Sequence, residues 1–305
     1  VRLTAPLIEL EGGSQLNAKT LGAGDGGAVV LTADTFRMRL GAVLNVEAEA
    51  GSGDSGIVDI VAGTVDLDGA AISLATRTAG DAGRMIVEGQ NLTLRNEASV
   101  FGGAHAAGEG ANITLRVANV ALAGGAELSA RALGAGSGGA IDVDVTDVSL
   151  TNDAGINVEA ISGGGDAGDV SIDGTTLTMD DGFVLLTTQT SGDGGFLRVN
   201  TADIEISNGA RILASAEGQG DAGFVELNAS GNISLSGVSD IRASVTGDGD
   251  AGDVILDAAG DLTLTEESFV RSDTAGSGRG GSIRFDAENL LIEDGSRVTS
   301  DATGA

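Results

Sequence analysis

The stretch Gly165-Asp166-Ala167-Gly168-Asp169-Val170-Ser171-Ile172 decides the fold, because a glycine corner followed by a short alternating strand recurs ten times along the chain. Val170 and Ile172 are apolar and Ser171 between them is polar. That period of two belongs to a strand with one face inward and one toward solvent. Aligned on the residue at Asp166, the corners fall at Asp25, Asp54, Asp81, Glu109, Ser137, Asp166, Asp193, Asp221, Asp250 and Arg279, with neighbours 27 to 29 residues apart. Two positions later stand Gly27, Gly56, Gly83, Ala111, Gly139, Gly168, Gly195, Gly223, Gly252 and Gly281, nine glycines out of ten. A glycine column this strict needs either positive φ or a backbone approach that a Cβ would block.

After each corner comes an apolar pair, from Val29/Leu31 and Val58/Ile60 through Val170/Ile172 and Val225/Leu227 to Ile283/Phe285, with Val1/Leu3 as the eleventh. Residues such as Asp59, Thr114, Asp142, Ser171, Arg198, Glu226 and Arg284 separate the two members. A second pair follows about five residues on, as in Ile8/Leu10, Phe36/Met38, Val65/Leu67, Leu177/Met179 and Leu290/Ile292, in all eleven repeats. Third inward candidates are Leu16, Leu44, Ile72, Leu128, Ile156, Ile212, Ile241, Val270 and Val298. Turn chemistry such as Asp180-Asp181-Gly182 and Ser207-Asn208-Gly209 divides the second strand from the third.

A single coil of this length cannot cover its inward side chains, so identical coils must stack and pair strand on strand in parallel. The expectation is an all-β chain: a right-handed parallel β-helix (β-solenoid) of about eleven coils of 27–29 residues with three strands per coil, the handedness being a general expectation for coils of this size. At about 4.8 Å per coil the rod would be roughly 50 Å long. Residues 1–305 read as one solenoid segment without linker, and the start at Val1 rather than Met suits a fragment of a longer chain.

Composition agrees with a repeat rather than a conventional core: 51 glycines, one proline and seven aromatics, all Phe. With 41% apolar residues the chain can bury a core, which disfavours disorder. A net charge of −29 repels phosphate backbones, so no nucleic-acid partner is expected. There is no cysteine and hence no disulfide framework or thiolate metal site.

The acidic corner column admits two readings. Stacked carboxylates could hold calcium, for which Asp221, Asp248, Asp250 and Asp253 would be the first ligands to mutate. Alternatively each Asp caps its own turn by accepting from that turn's backbone amides. The segment Gly247-Asp248-Gly249-Asp250-Ala251-Gly252-Asp253 misses the EF-hand spacing, and the calcium nonapeptide repeat is absent. Only weak, diffuse divalent-cation binding is expected. No catalytic, cofactor-binding or metal residue is assigned and no cofactor is expected. His105 is the single histidine, read as an exposed loop residue, and no Trp or Tyr offers a sugar platform. Uniform coils without long loops argue against an enzyme.

Gly220-Asp221-Ala222-Gly223, the strand Phe224-Val225-Glu226-Leu227, and Asn232-Ile233-Ser234-Leu235-Ser236-Gly237 resemble the filamentous haemagglutinin-like exoproteins of two-partner secretion systems. The similarity runs along the whole chain. It implies a secreted or cell-surface adhesin or extracellular scaffold of a Gram-negative bacterium. It further implies export through an outer-membrane transporter and contact with a host, neighbour-cell or matrix surface. The family's Asn-Pro-Asn secretion motif has no counterpart, the sole proline being Pro6. The competing reading is a carbohydrate-active parallel β-helix enzyme, a polysaccharide lyase or hydrolase. Open strand edges at both ends predict end-to-end self-association.

Overall fold

The computed structural model describes residues 1–304. Among them every regular element is a strand, 29 in all, and every strand pairing is parallel between one repeat and the next. The chain is a β-solenoid of eleven coils, numbered here from the N-terminus and starting at Val1, Ala28, Ile57, Arg84, Asn112, Ala140, Asp169, Phe196, Phe224, Asp253 and Ser282. The first and second strands of all coils form one broad sheet. The third strands, three residues each, form a narrow sheet of eleven.

Register follows the apolar columns. Leu3 pairs with Leu31, Leu31 with Ile60 and Ile172 with Val199, so the same inward position repeats up the rod. Val29, Leu31, Phe36, Met38, Leu44, Val225 and Leu227 have no exposed surface. Each fully buried Val, Leu or Ile side chain stabilises by about 1.5–3 kcal/mol on transfer scales. The intervening polar residues Asp142, Arg198 and Arg284 are exposed and Asp59, Thr114, Ser171 and Glu226 half-buried. In coils 2 to 5 the first two strands fuse into one element of twelve residues, Ala28–Arg39, Ile57–Asp68, Arg84–Arg95 and Asn112–Ala123. The remaining coils show three separate strands, although the bend between the first two stays bonded to the next coil, as in Val145 N–H to the Asp173 carbonyl at 2.9 Å.

The glycine column is explained by close approach. A Cβ at Gly56 would lie 2.0 Å from the carbonyl oxygen of Gly27, and one at Gly168 would lie 1.9 Å from that of Gly139. Of the two options that sequence left open, positive φ drops out, since none of the column glycines adopts it. The exception confirms the geometry. Ala111 is fully buried in this column, and the neighbouring inward position holds Gly102, where a Cβ would meet the Cβ of Ala111 at 2.1 Å. Other coils put Val46, Leu74 or Leu186 at that inward position and glycine in the column. One methyl group therefore changes place between two adjoining columns.

Left-handed backbone is concentrated instead between the second and third strands. Leu40, Asn96, Glu97, Asn152, Asp153, Asp181, Asn208, Val238, Glu266, Glu267 and Asp294 all have φ between 51° and 64° there. Asn and Asp tolerate this conformation, whereas Val238, β-branched, is strained by it.

Val100 and Val184 complete the third inward column at coils 4 and 7. Four residues beyond it a fourth ladder of single bridges runs through Thr20, Ala48, Thr76, Ala104, Ala132, Ala160, Thr188, Ala216, Val245, Thr274 and Ala302. In the last coil Leu290, Ile292 and Val298 are exposed, since no described residue stacks beyond them.

Candidate binding surface along the corner

The corner residues come first in the site because their carboxylates are ordered by the stacking itself. The backbone amide of Asp54 donates to Oδ1 of Asp25 at 3.1 Å, that of Asp81 to Asp54 at 2.9 Å, and that of Glu109 to Asp81 at 2.9 Å. Further along, the amide of Asp193 donates to Asp166 at 2.8 Å, Asp221 to Asp193 at 2.9 Å, Asp250 to Asp221 at 2.7 Å and Arg279 to Asp250 at 2.7 Å. Each Asp thus accepts from the corner of the following coil. This corrects the expectation that each caps its own turn: strand spacing brings the next coil's amide within reach, and the stacked backbone leaves that donor free. Ser137 substitutes its hydroxyl oxygen, accepting from Asp166 at 3.2 Å.

Asp248, Asp250, Asp253 and Asp221, the residues proposed to be tested as calcium ligands, are likewise each engaged through Oδ1 with a backbone amide one coil on. Three of them, Asp221, Asp250 and Asp253, line one trough, and Asp248 does not. Among the described residues no three His, Cys, Asp or Glu side chains converge as metal ligands would.

The trough, of about 450 Å³, crosses the corners of coils 7 to 10 and is lined by Asp169, Asp193, Asp221, Asp250 and Asp253 around Phe196 and Phe224. The two rings belong to the first residue of consecutive coils, which the register places side by side. Their centroids are 5.1 Å apart and their planes 3° from parallel. Asp169 Oδ1 accepts from the amide of Phe196 at 2.9 Å, which seats the ring at the trough wall. The guanidinium of Arg198 lies 5.1 Å from the Phe196 centroid, with its Nε donating to Glu226 at 2.9 Å. None of the corner carboxylates forms an ion pair among the described residues; most ion pairs lie on the strand faces. The arrangement therefore offers an aromatic surface rimmed by uncompensated negative charge. Sequence reasoning read the acids and passed over the aromatic pair, whose signal was two Phe exactly one repeat of 28 residues apart.

His105 is exposed, as expected, and meets the Phe101 ring edge-on at 6.1 Å. Partial desolvation, then the charge of Arg77, hold its pKa below the ordinary imidazole value.

On the outward face of the narrow sheet a second charged surface appears. Register places Arg211 beside Asp240, Asp240 beside Phe269 and Phe269 beside Arg297, with Arg242 and Arg271 adjacent in the neighbouring column. Arg242 meets Asp240 at 2.6 Å, Arg271 reaches the same carboxylate at 3.6 Å, and the Arg271 guanidinium lies 4.2 Å from the Phe269 centroid.

The architecture defines the class: a parallel β-solenoid of about eleven turns. No protein-family model, curated protein or solved structure matches the chain. No helix among the described residues is long and apolar enough to cross a membrane.

Proposed function

We propose that the chain is a repeat segment of a secreted or cell-surface adhesin or extracellular scaffold, its coils serving as rigid spacer and binding surface. The observation that supports this reading is the uniformity of the coils. Successive corners are never more than 29 residues apart, so no loop among the described residues leaves the rod to wall a cleft. What is left is long flat ladders of side chains, repeated about every 4.8 Å, a geometry suited to extended contact and holding apart what is attached at the ends. Export by two-partner secretion to a Gram-negative cell surface belongs to the same proposal and rests on the haemagglutinin-like resemblance. On this reading the chain performs no reaction.

The test is to couple the purified chain to beads and measure adhesion to host cells, neighbouring bacterial cells and matrix-coated surfaces. Beads carrying an unrelated protein of equal net charge are the control. Adhesion above that control on one surface is expected. A parallel incubation with acidic polysaccharides should release neither reducing ends nor unsaturated sugars; turnover there would replace the adhesin reading with that of a lyase or hydrolase.

A further inference from the structure

The arginines of the narrow sheet are distributed one per coil over four consecutive coils: Arg211, Arg242, Arg271 and Arg297 in coils 8 to 11. Only Asp240 stands among them on the same two columns, so four positive charges face one negative charge on a chain whose total is −29. Arg211 and Arg297 are exposed and make no ion pair among the described residues. The corner ladder has the opposite character with the same repeat. Asp166, Asp193, Asp221 and Asp250 occupy four consecutive coils, each with Oδ1 on a backbone amide and its charge otherwise unpaired.

We propose that the arginine strip of one copy docks laterally on the Asp166–Asp250 corner ladder of a second copy. Both surfaces extend over four coils, about 14 Å, and both repeat at strand spacing of about 4.8 Å. Once one arginine faces one carboxylate, the others come into register. Guanidinium is well matched to carboxylate, and the half-buried Phe224 ring beside the ladder adds a cation–π partner.

Shape selects the occupant. The strip is two side-chain columns wide and bordered by carboxylates, with Glu266, Glu267, Glu293 and Asp294 on one side and Asp273 and Asp301 on the other. A broad anionic surface such as a membrane would press on those borders. A single column of carboxylates one coil apart, like Asp193, Asp221 and Asp250 along the trough, faces the arginines alone. The contact joins two different patches, so it is heterologous, and association continues beyond a pair into staggered bundles. This inference is independent of any adhesive role.

Salt gives the signature. At about 0.01 M the screening length of roughly 30 Å lets whole molecules of like charge repel; at about 0.15 M it is roughly 8 Å and facing groups dominate; at about 1 M, roughly 3 Å, the pairs themselves fade. Sedimentation velocity of the purified chain should therefore show association that peaks at intermediate salt.

Two variants locate the contact. Arg211→Gln with Arg297→Gln removes the two unpaired arginines. Asp193→Asn, Asp221→Asn and Asp250→Asn remove three of the four ladder charges while retaining an oxygen for each backbone amide. With unchanged circular dichroism, each variant alone should associate roughly tenfold more weakly or worse, from several exposed pairs lost at once. Mixed together they should form pairs that grow no further, because an intact strip and an intact ladder then meet only between unlike copies. The proposal is overturned if the wild-type chain stays monomeric at every salt concentration or if either variant associates like wild type. It is equally overturned if the mixture does no better than its parts, or if association needs an added acidic polysaccharide or anionic vesicle.

Discussion

Two arginine clusters on this rod are built from the same parts and differ in their balance. On the broad sheet near the N-terminus, Arg37, Arg39 and Arg95 converge on Asp66, with Arg37 also reaching Glu9 and Arg95 reaching Asp68. Three cations meet three carboxylates, and Asp66 is only 8% exposed despite lying on an outward column. On the narrow sheet, four arginines share two columns with Asp240 alone, and only Arg242 and Arg271 reach it. The first cluster closes on itself and works as structure. The second leaves charge over, and charge left over on a surface is what a partner can use.

The largest effect should come from removing the hub of the closed cluster. Asp66→Ala would leave three guanidinia crowded without their counter-charge. Breaking a buried pair costs about 3–5 kcal/mol, and these arginines are about a third exposed, so a loss of about 2 kcal/mol in denaturant melts is expected. Asp240→Ala should cost about half as much, because only Arg242 and Arg271 pair with it and Arg242 also stands somewhat more exposed. Equal losses would break the comparison.

Next in size is a pair of arginine substitutions. Arg95→Gln removes contacts to both Asp66 and Asp68 and should lower stability by about 1 kcal/mol. Arg297→Gln touches no partner carboxylate and should stay within about 0.5 kcal/mol of wild type by the same measurement. If Arg297 proved the costlier, the surplus would be structural after all.

A smaller effect separates the clusters by pH. A hydrogen bond from Asn96, then one from Arg95, hold Asp68 below the usual carboxylate range, against opposing desolvation. Its folded pKa being depressed, its contribution is full above the unfolded value of about 4 and is lost as pH falls through the folded value. Melts from neutral pH down to about 2 should show that acid loss reduced in Arg95→Gln and unchanged in Arg297→Gln. An identical acid limb in both would remove the ionic role given to Asp68.

The smallest expected change tests the turn beside the open cluster. Val238 precedes the strand carrying Asp240 and has φ of 64°. Val238→Gly should relieve that strain and raise stability by up to about 1 kcal/mol. It should leave the salt dependence of self-association untouched. A shift in that dependence would show that the turn takes part in the contact.

Much of this molecule was legible because its coils are nearly copies. Val170/Ile172 and its counterparts reveal strand period, face and register together, and parallel stacking follows once no coil can cover its own apolar side. Val100 and Val184 stand at the same spacing as the other third-strand residues, six after Leu94 and five after Met179, so that spacing was the signal that could have found them. The Ala and Thr ladder from Thr20 to Ala302 escaped because small side chains carry little hydrophobic signal.

The sequence by itself therefore determined the period, the inward columns, the solenoid class and the overall acidity, all of which depend on residue type and spacing alone. Tertiary structure decided the rest, because it depends on which atoms of adjacent coils meet. Stacking turned each corner Asp from a cap of its own turn into an acceptor for the next coil's amide. It made the glycine column a matter of carbonyl oxygens about 2 Å from an imagined Cβ, and let Ala111 in only beside Gly102. It likewise gathered arginines some 28 residues apart into one closed cluster and one open one. Residues that far apart along a chain become neighbours only when parallel pairing sets them one strand spacing from each other.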